Sequence, residues 1–220
     1  QFAAHFMESD AADIEFADGK FVIAGTDKEM PLKQVAQMSF MPVHVPSELG
    51  VGLQGVGAFA AEVPSFPNGC HIAEVEIDPN TGETNVVKYT VVDDFGNVIN
   101  PLLVGGQVHG GVVQGIGQAL MENVVYDRDG QLITGSYMDY ALPRADQVPD
   151  IEFLDHPVPA KTNVLGAKGA GEAGVSGALP AVMNAVVDAL SPYGVVDMDM
   201  PATPQRVWRT INEAKNGGAS

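Results

Sequence analysis

The sequence predicts an α+β fold, with mixed sheets and packed helices, and three observations carry that expectation. Short alternating segments come in pairs around turn residues, at 13–24 and 70–92, which is the pattern of antiparallel hairpins. Two longer apolar segments, 102–122 and 176–190, repeat at helical spacing. Strands and helices do not alternate as regular βαβ units, so a doubly wound parallel sheet is not indicated. Composition permits a packed core, with 45% hydrophobic and 18% charged residues among 220.

The elements follow in order. Ile14-Glu15-Phe16 alternates, Asp18-Gly19 supplies a turn, and Phe21-Val22-Ile23 returns. Residues 31–38 predict a short helix, and 41–69, rich in Pro and Gly, predict an extended irregular stretch. Residues 70–77 form a strand, Asp78-Pro79-Asn80-Thr81-Gly82 a turn, and 84–92 the returning strand. Asn100-Pro101 breaks the chain before the first long helix. A second hairpin is expected around 127–130, and a further strand at 151–154. Pro157 and Pro159 open a Gly-rich loop. The second long helix, 176–190, carries Pro180 in its first turns, where proline is best tolerated. Its stripe of Met183, Val186, Val187 and Leu190 reads as core. Thr203 and Pro204 read as the N-cap and first residue of a last helix through Glu213, on which Trp208 is expected to pack. The tail 216–220 is expected to fray. There is no fixed-period repeat.

Charge and cysteine usage exclude some classes of function. The net charge is −17, from 28 acidic and 11 basic residues, which argues against binding nucleic-acid phosphates or an anionic membrane surface. One cysteine, Cys70, allows no internal disulfide and no iron–sulfur cluster held by this chain alone. It points to a reducing compartment, and Cys70 itself reads as a small buried apolar group. No apolar run reaches the ~20 residues of a bilayer span, and no basic region precedes an apolar core at the N-terminus. The chain starts at Gln1, without Met, in what reads as the end of a helix, so a fragment of a longer protein is expected.

Two segments stand out chemically. The first, 105–118, reads GGQVHGGVVQGIGQ. At ~100° per residue, Gln107, Gly111, Gln114 and Gln118 share one face, and Val108, Val112, Ile116, Ala119 and Leu120 share the other. Six glycines at about 1 kcal/mol each would cost a helix several kcal/mol relative to alanine. Two offsets are open: close packing against another backbone, or a ligand that needs clearance and amide donors.

The second segment is Gly166-Ala167-Lys168-Gly169-Ala170-Gly171-Glu172-Ala173-Gly174. Residues 169–174 spell GxGxxG, but the dinucleotide fingerprint needs a strand running into the turn, and here Pro157, Pro159 and an irregular stretch intervene. Glu172 would also point its charge at a pyrophosphate. Two other readings stay open on residue types alone. Glu172 caps the following helix, favoured by its dipole. Alternatively it is a catalytic carboxylate, desolvated enough to accept a proton near neutral pH and facing the glutamine-bearing helix. His71 and His109 lack clustered partners and read as ordinary hydrogen-bonding residues, not metal ligands.

Four stretches together resemble the molybdenum-binding subunit of the xanthine dehydrogenase and aldehyde oxidoreductase family, which includes the aerobic carbon monoxide dehydrogenases. They are FPNGCHIAEVEIDPNTG at 66–82, DFGNVINP at 94–101, GQVHGGVVQGIGQAL at 106–120 and KGAGE at 168–172. The likeness covers nearly the whole chain and corresponds to the C-terminal part of a longer subunit. On this resemblance, residues 1–40 end a preceding molybdopterin-binding region, 41–215 form the C-terminal molybdopterin-binding domain, and 216–220 are its tail.

The resemblance implies roles for particular residues. Glu172 falls on the catalytic glutamate, which would deprotonate a molybdenum-bound hydroxyl or water that attacks an electron-poor carbon while hydride passes to a sulfido ligand. Gln114 falls on a glutamine near the oxo group and pterin, and Gly115, Gln107 and Gly171 fall among cofactor-contacting positions. Lys168 pairs with cofactor phosphate or with a nearby carboxylate. The cofactor would be molybdenum-molybdopterin in its cytosine dinucleotide form, with iron–sulfur and FAD centres on other chains. The implied partners are the remainder of the subunit, an iron–sulfur subunit, an FAD subunit and a small-molecule substrate, with no nucleic acid and no membrane span. The implied reaction is water-derived hydroxylation of an aldehyde or N-heteroaromatic carbon, with the carbon monoxide branch open, in a cytoplasmic or periplasmic enzyme. The piece alone is expected to be inactive. The rival expectation is a cofactor-free scaffold of the same fold.

Overall fold

A computed structural model describes residues 1–217, and the chain divides into two compact units, Gln1–Ala60 and Ala61–Ser220. The division falls within the irregular Pro- and Gly-rich stretch. Residues 218–220 of the expected frayed tail lie outside the described residues.

In the first unit, helix α1 (Phe2–Met7) precedes an antiparallel sheet of β1 (Ile14–Ala17), β2 (Lys20–Ile23) and β3 (Glu29–Pro31), followed by α2 (Leu32–Ser39). The expected hairpin is present, pairing Ile14 with Ile23. Its turn residues Asp18 and Gly19 have φ of 49° and 76°, the left-handed pair that a tight hairpin needs. Strand β3 was not expected. It has three residues and ends in proline, which leaves too little pattern to read. Val35 is the buried anchor of α2.

The second unit holds the functional segments. Its sheet has β5 (Thr84–Asp94) in the centre, antiparallel to β4 (Asn68–Ile77) and parallel to β6 (Ile151–Asp155). The β4–β5 register slips between Glu74 and Val75, so that Glu74 pairs with Lys88 and Val75 with Val86. That bulge resets the period-two parity of β5. Val86 on one side of it and Tyr89, Val91 and Asp93 on the other therefore all turn inward and are buried. Strand β4 alternates as expected, with His71, Ala73, Val75 and Ile77 less exposed than their neighbours. Cys70 lies on the outward side and is exposed, not buried, because the pleat puts it opposite His71.

Three helices supply the rest of the core: α3 (Pro101–Leu120), α4 (Ala173–Leu190) and α5 (Pro204–Gly217). Val108, Val112 and Ile116 of α3, Val182, Val186 and Leu190 of α4, and Val207 and Ile211 of α5 join Tyr89, Val91 and Phe95 in one cluster. Asn100 caps α3, its side chain accepting from the Leu103 amide at 3.1 Å. Helix α4 is long and apolar enough to cross a membrane, but its stripe Ala178, Val182, Val186 and Leu190 is fully packed, which makes it a core helix.

Several expectations need correction. Helix α4 begins at Ala173, three residues earlier than expected, so Pro180 stands in the helix interior and not in its first turns. The 127–130 hairpin is present but short, with one bridge between Tyr126 and Leu132 and backbone bonds from the Asp127 amide to Gln131 O and from the Ile133 amide to Val125 O, while Asp127 Oδ1 accepts from the turn amides of Asp129 and Gln131. Helix α5 runs to Gly217, beyond Glu213. On it Val207 and Ile211 face the core, while Trp208 is 46% exposed.

Candidate functional site

The site is built where α3, α4 and the end of β5 meet. Gly111 of α3 lies against α4: an added Cβ would stand 2.8 Å from the Val175 amide nitrogen and 3.0 Å from Gly174 Cα. One turn on, a Cβ at Gly115 would lie 2.5 Å from Ala178 Cβ. The pairing advances in the same direction on both helices, so α3 and α4 run parallel at near backbone contact. Gly111, Gly115 and Gly117 therefore have a packing reason, the last against Pro143 at 2.6 Å. Gly105, Gly106 and Gly110 do not, since nothing lies within 4 Å of where their Cβ would be. Close packing thus accounts for three of the six and leaves Gly105, Gly106 and Gly110 without a packing reason. Gly111 does not share the open face with the glutamines. Gln107, Gln114 and Gln118 do, and all three are exposed.

The loop leading to Glu172 is stapled at its start and bare at its end. Asp94, at the end of β5, organises the staple. Its Oδ1 accepts from the amides of Gly96 at 2.8 Å and Val158 at 2.9 Å, and its Oδ2 pairs with Lys168 Nζ. Burial would raise the Asp94 carboxyl, but the Lys168 hydrogen bond, then the Val158 and Gly96 amides, outweigh it and hold it down at about 2. The Lys168 amide donates to Phe95 O at 2.9 Å, and Gly166 O accepts from the amides of Asn97 and Ala160. Gly96, at φ 61°, is required here, because a Cβ would collide with Gly166 O.

Beyond Lys168 the support stops. Gly169 and Gly171 are exposed, with nothing within 4 Å of a would-be Cβ. Glu172 is the N-cap residue of α4, yet its side chain makes no capping bond. The simple cap is therefore not what its carboxylate does. Nor is that carboxylate desolvated within this chain, since Glu172 is exposed. It borders a cavity of about 570 Å³ shared with Asn68, Gly69, His71, Asp93, Ser176 and Gly177.

The structure thus divides the sequence-derived residues. Glu172 and Gly171 lie together at the cavity, and Gln107 and Gln114 stand free on the adjoining helix. Gly115 is buried, and a Cβ there would meet α4. Lys168 pairs with Asp94, one of the two partners that the sequence left open, and its side chain is only 11% exposed. Sequence reasoning missed the buried group beneath the cavity: His71 Nδ1 stands 2.9 Å from Tyr89 Oη, and His71 Nε2 stands 3.4 Å from Asp93 Oδ1. Strand alternation carried the signal, since it turns His71, Tyr89 and Asp93 to the same side as Ala73 and Val91.

A family model described as the molybdopterin cofactor-binding domain matches residues 1–149. The nicotine 6-hydroxylase large subunit of Paenarthrobacter nicotinovorans is 41% identical over 94% of this chain and 26% of its own length. The carbon monoxide dehydrogenase large chain of Hydrogenophaga pseudoflava is 35% identical over 97% of this chain and 26% of its own. The crystal structure of quinoline 2-oxidoreductase from Pseudomonas putida 86 superposes with a TM-score of 0.87 at 39% identity, over 97% of this chain and 27% of that one. The chain spans about a quarter of the length of the curated relatives it matches.

Proposed function

This chain belongs to the molybdopterin cofactor-binding family of molybdenum hydroxylase large subunits, and we propose that it contributes the general base and part of the cofactor cradle to such an enzyme. The residues present fit the cofactor. Gln107 and Gln114 are exposed and have no side-chain hydrogen-bond partner among the described residues, and the backbone at Gly106, Gly110 and Gly171 is uncovered. Amide side chains that both donate and accept, beside bare peptide, suit a pterin edge. Gln107, Gln114, Gly110 and Gly171 would hold it. When bound, the molybdenum cofactor supplies the two-electron redox chemistry.

The observation that carries the reading is Glu172: a carboxylate with no partner among the described residues, at the head of a helix whose first turn is fixed by backbone contact with α3. Its position is set while its oxygens stay free. As general base, a Glu172 carboxylate oxygen takes up a proton from the water that attacks the substrate carbon. The desolvation that such a base needs comes, in this reading, from the rest of the parent subunit. The overall change replaces a carbon–hydrogen bond by a carbon–oxygen bond with oxygen from water, releasing electrons and protons. Iron–sulfur and FAD centres on partner subunits would take up those electrons in this reading. The relatives named for nicotine and quinoline favour an N-heteroaromatic substrate over an aldehyde. A cytosine dinucleotide form of the cofactor and a cytoplasmic location belong to the same proposal.

The test is Glu172→Gln in the full-length enzyme. Turnover is expected to fall by orders of magnitude with molybdenum content near normal. Wild-type turnover in that variant, or a native protein that carries no molybdenum, overturns the reading.

A further inference from the structure

Beneath the first turns of α4 lies a buried polar group to which the proposed reaction assigns no role. His71, Asp93 and Tyr89 form a chain of contacts with side chains 5% and 3% exposed for the first two and a fully buried Tyr89. Only the contact with Tyr89 is a hydrogen bond; His71 Nε2 lies 3.4 Å from Asp93 Oδ1, at ion-pair distance. A carboxylate only accepts, so a hydrogen on Nε2 suits that side of the ring, and in the neutral ring Nδ1 then accepts from the Tyr89 hydroxyl. Burial first, and the Asp93 charge second, push Tyr89 ionisation well above its ordinary range, so that hydroxyl keeps its proton. The second Asp93 oxygen is buried with no partner among the described residues.

Two glycines on different elements make room for this pair. Gly69, directly opposite Asp93 in the β4–β5 register, has no space for a Cβ, which would fall on the Asp93 carboxylate. Gly177 of α4 sits on the His71 ring, and a Cβ there would stand 2.6 Å from three ring carbons. The early part of α4 is thereby clamped from two sides, by Gly111 of α3 through Gly174 and by His71 of β4 through Gly177. Glu172 heads that clamped segment. The pair leaves one buried carboxylate oxygen without a partner among the described residues, a cost that an all-apolar contact between β4, β5 and α4 would not carry.

We propose that His71, oriented by Asp93 and Tyr89, is a positioning residue for Glu172, acting through Gly177 and the first two turns of α4. The proposal rests on Glu172 being the base. A rigid polar prop under a helix head holds the side chain at that head within the narrow range that proton transfer requires.

The test uses the full-length, cofactor-loaded enzyme. His71→Phe keeps the ring volume and removes both nitrogens. Its kcat is expected to fall about tenfold, with KM within about twofold, because a misplaced base weakens the transition state and not ground-state binding. Molybdenum content per folded protein stays near wild type, while the melting temperature falls, because Phe leaves the buried Asp93 carboxylate without its neighbour. His71→Gln, whose amide keeps a donor toward Asp93, recovers most of the lost kcat. Wild-type kcat in His71→Phe, with Glu172→Gln inactive, overturns the positioning role and leaves the base intact. Loss of molybdenum in step with activity in both His71 variants also overturns it, as a role in folding. Wild-type turnover in Glu172→Gln defeats the underlying reading instead. Should His71→Phe not fold, Tyr89→Phe removes one hydroxyl only: a smaller kcat loss at unchanged KM supports the prop, and wild-type kcat overturns it.

Discussion

Gly174 of α4 and Gly111 of α3 face one another so closely that a Cβ built on either stands 3.0 Å from the other's Cα. This contact links the two segments that the sequence marks as unusual. It sets Glu172 two residues from the crossing point, and it places the exposed glutamines of α3 beside the same seam. Six glycines in one helix segment otherwise work against helix formation, so their distribution is informative. Those under α4 are needed for approach, and those on the open side are not.

The seam predicts an inverted response to alanine. At an unconstrained helix position, Gly→Ala gains about 1 kcal/mol. At Gly115 the new methyl would lie 2.5 Å from Ala178 Cβ, so the helices must part. Overpacking of this kind costs about 1–3 kcal/mol. Gly115→Ala is therefore expected to lower the denaturant midpoint, with a net loss of up to about 2 kcal/mol. A midpoint at or above wild type would mean that the helices are not in backbone contact.

Gly110 should behave in the opposite way. Nothing lies within 4 Å of its would-be Cβ. Gly110→Ala is expected to stabilise the fold by up to about 1 kcal/mol, through helix propensity alone. In the full-length enzyme the same methyl stands on the uncovered face proposed to hold cofactor, so molybdenum and cytidine nucleotide content should fall. Greater stability with full cofactor content would remove Gly110 from the cradle.

The Asp94–Lys168 pair makes a pH-dependent prediction. The folded-state carboxyl of Asp94 is held at about 2, below its ordinary 3.8. A depressed carboxyl contributes stability that is fully present above the ordinary value and is lost as pH falls through the folded one. Lys168→Met leaves a mostly buried carboxylate without its cation, which costs on the order of 3 kcal/mol near neutral pH. Urea midpoints measured downward from pH 6 should show the gap between wild type and variant narrowing between about pH 4 and pH 2, where Asp94 protonates. A gap of constant size would assign the loss to packing of the lysine stem.

Much of the second unit was legible because its signals are local. The alternation of residues 70–77, the turn at Gly82, the Asn100-Pro101 start of α3, and Val186 and Leu190 of the α4 stripe each need only a few residues to be recognised, although Val182 and not Met183 or Val187 completes that stripe in the core. What escaped depends on contacts far apart in sequence. Nothing near Lys168 says that its partner is Asp94, 74 residues earlier, and nothing near Gly115 says that Ala178 will cover it. Cys70 was misread because residue type favours burial, while the face of the strand decides it. The His71–Asp93 pair lay between these cases. Its inward parity could be read from each strand, but the β4–β5 register that sets Gly69 beside Asp93 could not.

Gln114 provides the cleanest separation of fold from function. Its side chain is exposed on α3 and has no hydrogen-bond partner among the described residues. Replacing an exposed, unpartnered residue in a helix changes stability by about 0.5 kcal/mol or less, and alanine is the better helix former. Gln114→Ala is therefore expected to leave the melting temperature of the full-length protein unchanged or slightly higher. If the amide meets the cofactor, the same variant should retain less molybdenum or turn over more slowly, because a polar group on the cofactor loses a matched donor and acceptor at once. Gln118→Ala, one turn further along the same face, serves as the comparison. Equal molybdenum content and turnover in wild type and Gln114→Ala would show that the glutamine face serves solubility alone, and the cradle would then have to be sought on Gly171 and its neighbours.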